Sequence, residues 1–397
     1  MKKITTITLG LALSLSSFAT VFTVNNSTTT PGNPGQYATI ETAFAAASPG
    51  DTLLVKGSLT PYTLAPSTSF GTLLINKRIC IIGEGYKPNG GANPPTTVNG
   101  TFTFSTNSAS GSSIWGLIGS SLTFNSSQNI RLNNITIRRN AFNYINLNDS
   151  SYNFTIAENF IAANIYLNSG LNNNLAKHVN LKILNNIFSN STVFPGGGNL
   201  YSFQVKNNLF INGTFNSPLS SLPSQLFNPG GSAAPRCQNA IFENNIFYNT
   251  LPSPNNSSIS LYGPISCSFI NNITFSAVTN PLLSTLIGNS FSGNLDNTDP
   301  GYANLFTNTA SNRILTSSDI FNIRISNSSP AKNAGTDGTD IGPTGGAYPI
   351  YNNVLANEQL SGEPPLPQVR SANFTNNVNA VQTGGTLQIN VIGRKRN

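Results

Sequence analysis

Residues 179–190 read VNLKILNNIFSN, and close copies of this stretch recur along the middle of the chain. Each copy has a short run of alternating apolar and polar residues, then one or two asparagines, then a second apolar run. The later asparagine of each copy serves as its marker, and the markers are Asn134, Asn159, Asn186, Asn208, Asn245 and Asn272. Successive markers are 25, 27, 22, 37 and 27 residues apart. Repeats of this length predict a solenoid in which each repeat forms one coil.

The residues around the markers predict coils built from strands. Three residues before the markers stand Arg131, Ile156, Ile183, Val205, Phe242 and Phe269, and one residue after them stand Ile135, Phe160, Ile187, Leu209, Ile246 and Ile273. Side chains in a strand point to the same side at every second residue, so we expect both sets to point into one shared interior. We expect each marker asparagine to adopt the left-handed conformation of a bend and to hydrogen-bond to the next marker, about 4.8 Å away. Arg131 does not fit this pattern, so the first copy departs from the others.

This repeat text resembles that of right-handed parallel β-helix proteins of the pectin-lyase-like superfamily, in particular secreted bacterial β-helix proteins with no assigned activity. The resemblance covers roughly residues 20–348. It implies an all-β fold, a right-handed parallel β-helix with a short N-terminal capping helix. It is specific for the fold and weak for function, because proteins with this fold include lyases, hydrolases, tail spikes and adhesins.

The sequence divides into three parts. Residues 1–19 have two lysines, an apolar run and a small-x-small site ending at Ala19, which predicts a cleaved secretory signal peptide. Residues 20–348 are the predicted β-helix domain, with a cap at 20–57, coils at 58–297 and a turn-rich closing region at 298–348. Within the cap, the apolar spacing predicts a helix over 39–47. Residues 349–397 are expected to be a linker followed by a single edge strand at 386–392.

Charge and cysteine content limit the location and the partners. The 397 residues are only 8% charged, and five of the positive charges behind the net +7 lie in the leader or at 394–396, which leaves the body at +2. This charge distribution lacks the basic patch that is typical of nucleic-acid-binding proteins. No later segment is typical of a transmembrane helix. We therefore expect a secreted or cell-surface protein. Of the three cysteines, Cys237 and Cys267 fall in consecutive coils, which leaves a disulfide and buried thiols both open; we expect Cys80 in the core.

Several kinds of catalytic site are disfavoured by the sequence. His178 is the only histidine, and we expect it in an exposed loop with no nucleophile motif nearby. One histidine and three scattered cysteines do not form a zinc cluster. Glycoside hydrolysis needs two carboxyls roughly 5 to 9.5 Å apart. The outward acids Glu158 and Glu243 are separated by three coils, or about 14 Å.

The family resemblance implies a further possibility, since related lyases abstract a proton beside a uronate carboxylate with a lysine or arginine and often use calcium. The basic candidates here are Lys206, Arg138, Lys182, Arg139 and Arg236. Lys206 and Glu243 stand two residues before their markers in successive coils, which predicts a surface ion pair; the alternative is a base held by its partner. Asp337 and Asp340 offer oxygen ligands for calcium, but turn formation explains the same residues.

The remaining feature is a surface with repeated rows of asparagine, serine, threonine and tyrosine. Such rows suit contacts with sugar hydroxyls, and they equally suit solvation of the coils. The leading hypothesis is a non-catalytic extracellular protein that binds polysaccharide along its face, without a required cofactor. The alternatives are a polysaccharide lyase with a lysine or arginine base, and a purely structural or adhesin-like protein. The sequence does not specify the oligomeric state.

Overall fold

A computed structural model describes most of the predicted β-helix and two segments of the tail. The described residues are 19–27, 34–65, 71–86, 93–124, 130–148, 150–167, 177–189, 192–195, 199–211, 224–228, 237–248, 250–251, 266–275, 289–301, 325–350, 368–374 and 389–394. The predicted signal peptide, apart from Ala19, lies outside this set, as does the lyase candidate Arg236.

The coils form parallel sheets in which each strand pairs with strands of neighbouring coils. Sheet A has twelve strands: Val21–Val24, Gln36–Tyr37, Thr52–Val55, Cys80–Ile82, Ser113–Trp115, Thr136–Arg138, Thr155–Ala157, Lys182–Leu184, Gln204–Lys206, Ile241–Glu243, Ser268–Ile270 and Ser290–Ser292. Sheet B has eleven strands: Tyr62–Thr63, Thr72–Ile75, Thr97–Phe104, Ile118–Phe124, Ala141–Leu147, Phe160–Ile161, Ile165–Leu167, Ile187–Ser189, Leu209–Ile211, Ile246–Tyr248 and Ile273–Phe275.

The described residues also form two smaller parallel sheets. Sheet C consists of Leu132–Asn133, Ser151–Tyr152, Lys177–Val179, Asn199–Tyr201 and Cys237–Gln238, and sheet D consists of Thr192–Pro195, Ser224–Asn228 and Thr250–Leu251. In the middle coils the chain passes through sheet C, then sheet A, then sheet B. The predicted parallel β-helix is therefore confirmed, with the right-handed sense that parallel crossovers adopt.

The interior is a continuous apolar column to which each coil contributes residues from sheets A and B. The central residue of each sheet A strand points inward, as Ile183, Val205 and Phe242 do. The second residue after each marker also points inward, and the rings of Phe188, Phe210 and Phe247 stack at centroid distances of 4.9 and 5.1 Å. A single coil could not bury these rings, so the coils depend on each other for their core.

The predicted asparagine ladder is present, but it begins at a different residue. A ladder of side-chain amides, buried in all but the last residue, is joined by Nδ2 to Oδ1 hydrogen bonds of 3.0–3.1 Å. Its residues are Asn140, Asn159, Asn186, Asn208, Asn245, Asn272 and Asn294. Asn140, and not Asn134, is the ladder residue of the first copy. Asn134 lies at the bend between sheets C and A, with a φ of 57°. The misfit of Arg131 is explained, because it is an exposed residue outside the aligned strand.

Two details of the predicted bend were wrong. The left-handed residue is the one before the ladder asparagine, as at Asn185 and Asn207, with φ values of 53° and 54°. The residue after the ladder asparagine faces outward. These outward residues are Ala141, Phe160, Ile187, Leu209, Ile246 and Ile273, and together they form an apolar stripe buried apart from the main core.

The closing region covers this stripe. Residues 325–350, which we call the strap, run back along the outside of the coils toward the earlier ones, whereas the sequence predicted a closing coil. Backbone carbonyls of the strap accept hydrogen bonds from the coil amides of Asn271, Asn207 and Asn185 in that order. Ile341 of the strap is fully buried against the stripe. The asparagines at the left-handed positions thus have a second role as docking groups.

The N-terminal cap is as predicted. The helix Ile40–Ala46 begins after Thr39, whose hydroxyl accepts a hydrogen bond from the Thr42 amide at 3.2 Å. It buries Ile40, Ala43 and Phe44 in the main core beside the first strands of sheet A. A 3-10 helix over Asn107–Ala109 precedes a later sheet A strand.

The tail and the cysteines differ in part from expectation. The tail strand pairs antiparallel as a hairpin of Gln368–Phe374 and Ile389–Arg394, so it is not a single edge strand. Cys80 is a thiol, and Cys267 is buried. The question of a Cys237–Cys267 disulfide stays open, because the side chain of Cys237 lies outside the described part of the chain. Burial raises the pKa of Cys80, against a hydrogen bond of 3.0 Å from Ser113 that lowers it.

Candidate functional site

The lyase candidates lie in separate places on the coil surface. Arg138, Ala157, Leu184 and Lys206 occupy one register column of sheet A in successive coils. Arg138 and Lys206 are therefore three coil steps, or about 14 Å, apart. Lys182 belongs to another column, between Thr155 and Gln204. The structure does not combine the three basic residues into one site.

Arg138 belongs to a buried ionic cluster. Its Nε donates to Glu158 Oε2 at 2.7 Å, and its Nη2 contacts the same oxygen. The neighbouring Arg139 donates to Glu158 Oε1 from Nε at 3.0 Å and from Nη2 at 2.8 Å. The side chains are 16%, 13% and 3% exposed for Arg138, Arg139 and Glu158. Glu158 faces outward from the coil, as predicted, but two guanidinium groups cover it and leave it buried.

Two aromatic rings contact the Arg138 guanidinium. Its guanidinium carbon lies 4.8 Å from the ring centroid of Trp115 in the preceding coil and 4.5 Å from that of Tyr348 in the strap. A cation over an aromatic face is stabilised by the quadrupole of the ring. Arg138 is therefore held by a carboxylate and two rings, and its contact with Tyr348 helps to attach the strap to the coils.

The backbone beneath this cluster departs from the other bends. Arg139 and Glu158 occupy the left-handed positions, with φ values of 54° and 56°, where later coils have asparagine. Non-glycine residues other than asparagine and aspartate are unfavourable there. The ion cluster and the strap compensate for this conformation.

Lys206 and Glu243 form the predicted ion pair, with Nζ 2.6 Å from Oε2. The strap adds a contact, since Thr336 Oγ1 donates to Glu243 Oε1 at 2.5 Å. Burial raises the pKa of Glu243, but the hydrogen bonds from Lys206 and Thr336 outweigh it and leave the pKa below its usual range. The carboxylate therefore remains charged, and its ion pair with Lys206 lies beside the strap.

Lys182 lies on a different surface, which we call the polar face and define by Tyr152, Thr155, Lys182, Tyr201 and Gln204. Tyr152 and Tyr201 point outward from sheet C on one register column, with Val179 between them. Thr155, Lys182 and Gln204 follow one another on an outward column of the adjoining sheet A. The side chains are half-buried.

An amide row borders the polar face at the bend between its two sheets. Asn180 donates to Asn153 at 2.7 Å, and Asn153 donates to Asn133 at 2.9 Å. Successive coils therefore present amides at the strand spacing of about 4.8 Å. The polar face and this row together offer aromatic rings, a hydroxyl, amides and one ammonium group.

His178 is not in an exposed loop, as the sequence predicted. It is fully buried in the strand Lys177–Val179, with Nδ1 2.8 Å from Ser151 Oγ. Its Nε2 has no hydrogen-bond partner. Burial lowers the pKa of His178 to about 4. The Ser151–His178 pair faces the interior, where no substrate reaches it.

The candidate calcium ligands take part in local hydrogen bonds. Asp337 Oδ1 accepts from the amide and the hydroxyl of Thr339 at 3.0 and 2.7 Å. Asp340 accepts from Lys332, Asn333 and Thr344. Within the described residues, no group of three or more His, Cys, Asp or Glu side chains could hold a metal ion. Calcium binding stays an untested hypothesis. In the same part of the chain, no helix has the length and apolarity needed to cross a membrane.

Sequence reasoning missed the two rings around Arg138 and the two tyrosines of the polar face. A signal for the first was present, because Arg-Arg-Asn at 138–140 and Ala-Glu-Asn at 157–159 replace the Asn-Asn pair of later copies. Aligning the first copy on Asn140 would have placed these charges together at one bend. No comparable signal linked Tyr348 to Arg138, since the strap returns from 210 residues later in the sequence.

No protein-family model matches the chain, and no curated protein is similar to it in sequence. Among solved structures, the chain is similar to a crystal structure of pectate lyase Pel9A, with 14% sequence identity and a TM-score of 0.38. The alignment covers 82% of this chain and 96% of the pectate lyase chain. This likeness carries no information about activity, and the parallel β-helix is established by the strand pairing itself.

Proposed function

We propose that this chain is an exported, non-catalytic β-helix protein that binds extracellular glycans along its polar face. The observation that supports this most is the pairing of outward tyrosines with rows of amide, hydroxyl and ammonium groups. Tyr152 and Tyr201 are two coil steps apart, or about 10 Å, a span on the order of a disaccharide. Aromatic rings with a few placed polar groups are typical of small-ligand recognition surfaces.

The state of the basic residues supports binding without bond cleavage. Proton abstraction requires a base that can approach the substrate and accept a proton. Arg138 contacts two rings and a carboxylate, and Lys206 is engaged in an ion pair with Glu243. Lys182 keeps a polysaccharide lyase as the second candidate, because it lies on the polar face.

Export follows from the predicted signal peptide at 1–19. The low charge of the chain and its many neutral polar side chains suit a secreted or surface-attached protein. Binding to a polysaccharide outside the cell would need no cofactor.

A glycan array tests the proposal, with the wild type compared with Tyr152→Ala and Tyr201→Ala. We expect selective binding by the wild type and at least a tenfold weaker affinity in each variant, which corresponds to about 1.4 kcal/mol. Tyr144→Ala is the matched control, because Tyr144 lies on sheet B and makes an edge contact with Tyr166. A blank array would refute glycan binding and favour a purely structural role. Equal losses in all three variants would place binding elsewhere.

A further inference from the structure

Asp51 is a buried carboxylate beside the first strands of sheet A. The residue is 4% exposed. Its Oδ1 accepts the Thr20 amide at 2.7 Å, and its Oδ2 accepts the Ser48 amide at 2.7 Å. Among the residues that the structure describes, no lysine, arginine or histidine lies within ion-pair distance of Asp51. Buried carboxylates are ordinarily paired with a cation, but the Asp51 oxygens accept neutral amides. Lys77 lies at the same turn, where its Nζ donates to the Ala47 carbonyl at 2.5 Å.

The nitrogen of Thr20 is held in place by strand pairing. The Thr20 carbonyl accepts the Thr52 amide at 2.8 Å, and Val21 is the register partner of Thr52. Ala19 and Thr20 are both exposed. Strand pairing over residues 21–24 therefore positions the Thr20 nitrogen at Asp51.

We propose that hydrolysis of the Ala19–Thr20 bond completes this site by converting the Thr20 amide into an α-ammonium group that pairs with Asp51. The inference rests on the proposed export, because a leader-processing protease would catalyse the step. Water adds across the peptide bond, with its hydroxyl going to the Ala19 carbonyl carbon and its hydrogen to the Thr20 nitrogen. At neutral pH the new carboxyl group ionises and the new amine is protonated. The new ammonium group then lies beside the buried carboxylate.

The site thus favours one N-terminus over its neighbours. An ammonium donor adds a charge–charge attraction to the carboxylate, which a neutral amide donor lacks. A chain that begins at Ala19 keeps a neutral amide at Thr20 and places its ammonium group one residue away. Correct processing would therefore add stability to the entry strand.

Three purified proteins test this inference: one that begins at Thr20, the same protein acetylated at the Thr20 nitrogen, and one that begins at Ala19. Acetylation keeps an N–H donor and removes only the charge. At pH 6.5 we expect the protein with a free Thr20 amine to have a Tm several degrees above both others. A free α-amine has a pKa of about 7.7–8.0, and pairing with Asp51 should raise it. The added stability is therefore present below that range and is lost as pH rises through the raised pKa.

Asp51→Asn supplies the control, because the Tm advantage of the free amine should disappear in that variant. Equal Tm values of the free and acetylated wild type at pH 6.5 would overturn the proposal, as would an advantage that survives in Asp51→Asn. If Asp51→Asn does not fold, the pH series on the wild type decides alone. N-terminal sequencing of the exported protein should begin at Thr20, and another start would also overturn it. None of these readouts depends on glycan binding, so a failure of this inference can be told apart from a failure of the glycan-binding proposal.

Discussion

The asparagine ladder should be a main source of stability, and Asn208 lies at its centre. Its Oδ1 accepts the Asn186 amide at 2.8 Å and the Asn186 Nδ2 at 3.1 Å. Its Nδ2 donates to the Ile183 carbonyl at 2.8 Å and to Asn245 Oδ1 at 3.0 Å. In Asn208→Ala, the buried Asn186 amide loses its acceptor and the Ile183 carbonyl loses a donor. Each orphaned buried group costs about 1–3 kcal/mol, so we expect a loss near 4 kcal/mol.

Urea unfolding followed by circular dichroism measures this loss, and hydrogen exchange locates it. We expect the Asn186 amide to exchange much faster in Asn208→Ala, because the ladder opens at that coil. Asn146→Ala is the matched control: Asn146 faces outward on sheet B, and its side chain donates to Thr123 at 3.2 Å. The control should lose about 1 kcal/mol or less. A similar loss in both variants, or unchanged protection at Asn186, would refute a stabilising ladder.

Three further predictions concern the buried histidine, the strap and the ionic cluster. Burial lowers the pKa of His178 from 6.5 to about 4, so the unfolding free energy should be highest above pH 6.5 and fall by about 3 kcal/mol toward pH 4, as the unfolded state takes up a proton. His178→Gln should lack this slope, and parallel pH profiles of the two proteins would contradict the burial. Ile341→Ala should lower the free energy of unfolding in urea by about 2–4 kcal/mol, because Ile341 is fully buried against the stripe. Ala347→Ser, at an exposed residue of the strap, should leave it unchanged; equal effects would mean that the strap is not docked. Glu158→Asn alone should cost about 3–5 kcal/mol, because it removes the carboxylate that Arg138 and Arg139 share. Adding Arg139→Asn should restore much of this loss, since asparagine tolerates the left-handed positions; strictly additive losses would argue against the cluster.

Local repetition made the coils predictable, because strand alternation and the ladder asparagines are written into every copy. The cap helix was also predictable from a local pattern, because the spacing of Ile40, Ala43 and Phe44 places them on one helical face. The strap was not, because its contacts with Asn185 and Asn207 join residues 133 to 160 positions apart. A stripe such as Ile187 and Leu209 looks like core in the sequence, and only the returning strap shows that it lies outside the coil.

The candidate site was predicted only in part. The Lys206–Glu243 pair followed from register, since both residues stand at the same offset from their ladder asparagines. His178 was misplaced, and the burial of Glu158 was missed, because burial depends on neighbouring coils and the strap, which a single repeat does not specify. Charge and polarity suggested exposure for both, but two arginines cover Glu158 and a strand places His178 inside.

The central functional claim is that the polar face binds glycan while the basic residues remain structural. Incubation of the pure protein with the array-selected glycan and with polyuronates, followed by unsaturated-uronate absorbance, tests it most directly. We expect the selected glycan to be retained and the absorbance to stay flat. A steady rise that is abolished by Lys182→Ala, Lys206→Ala or Arg138→Ala would contradict the account and identify a lyase.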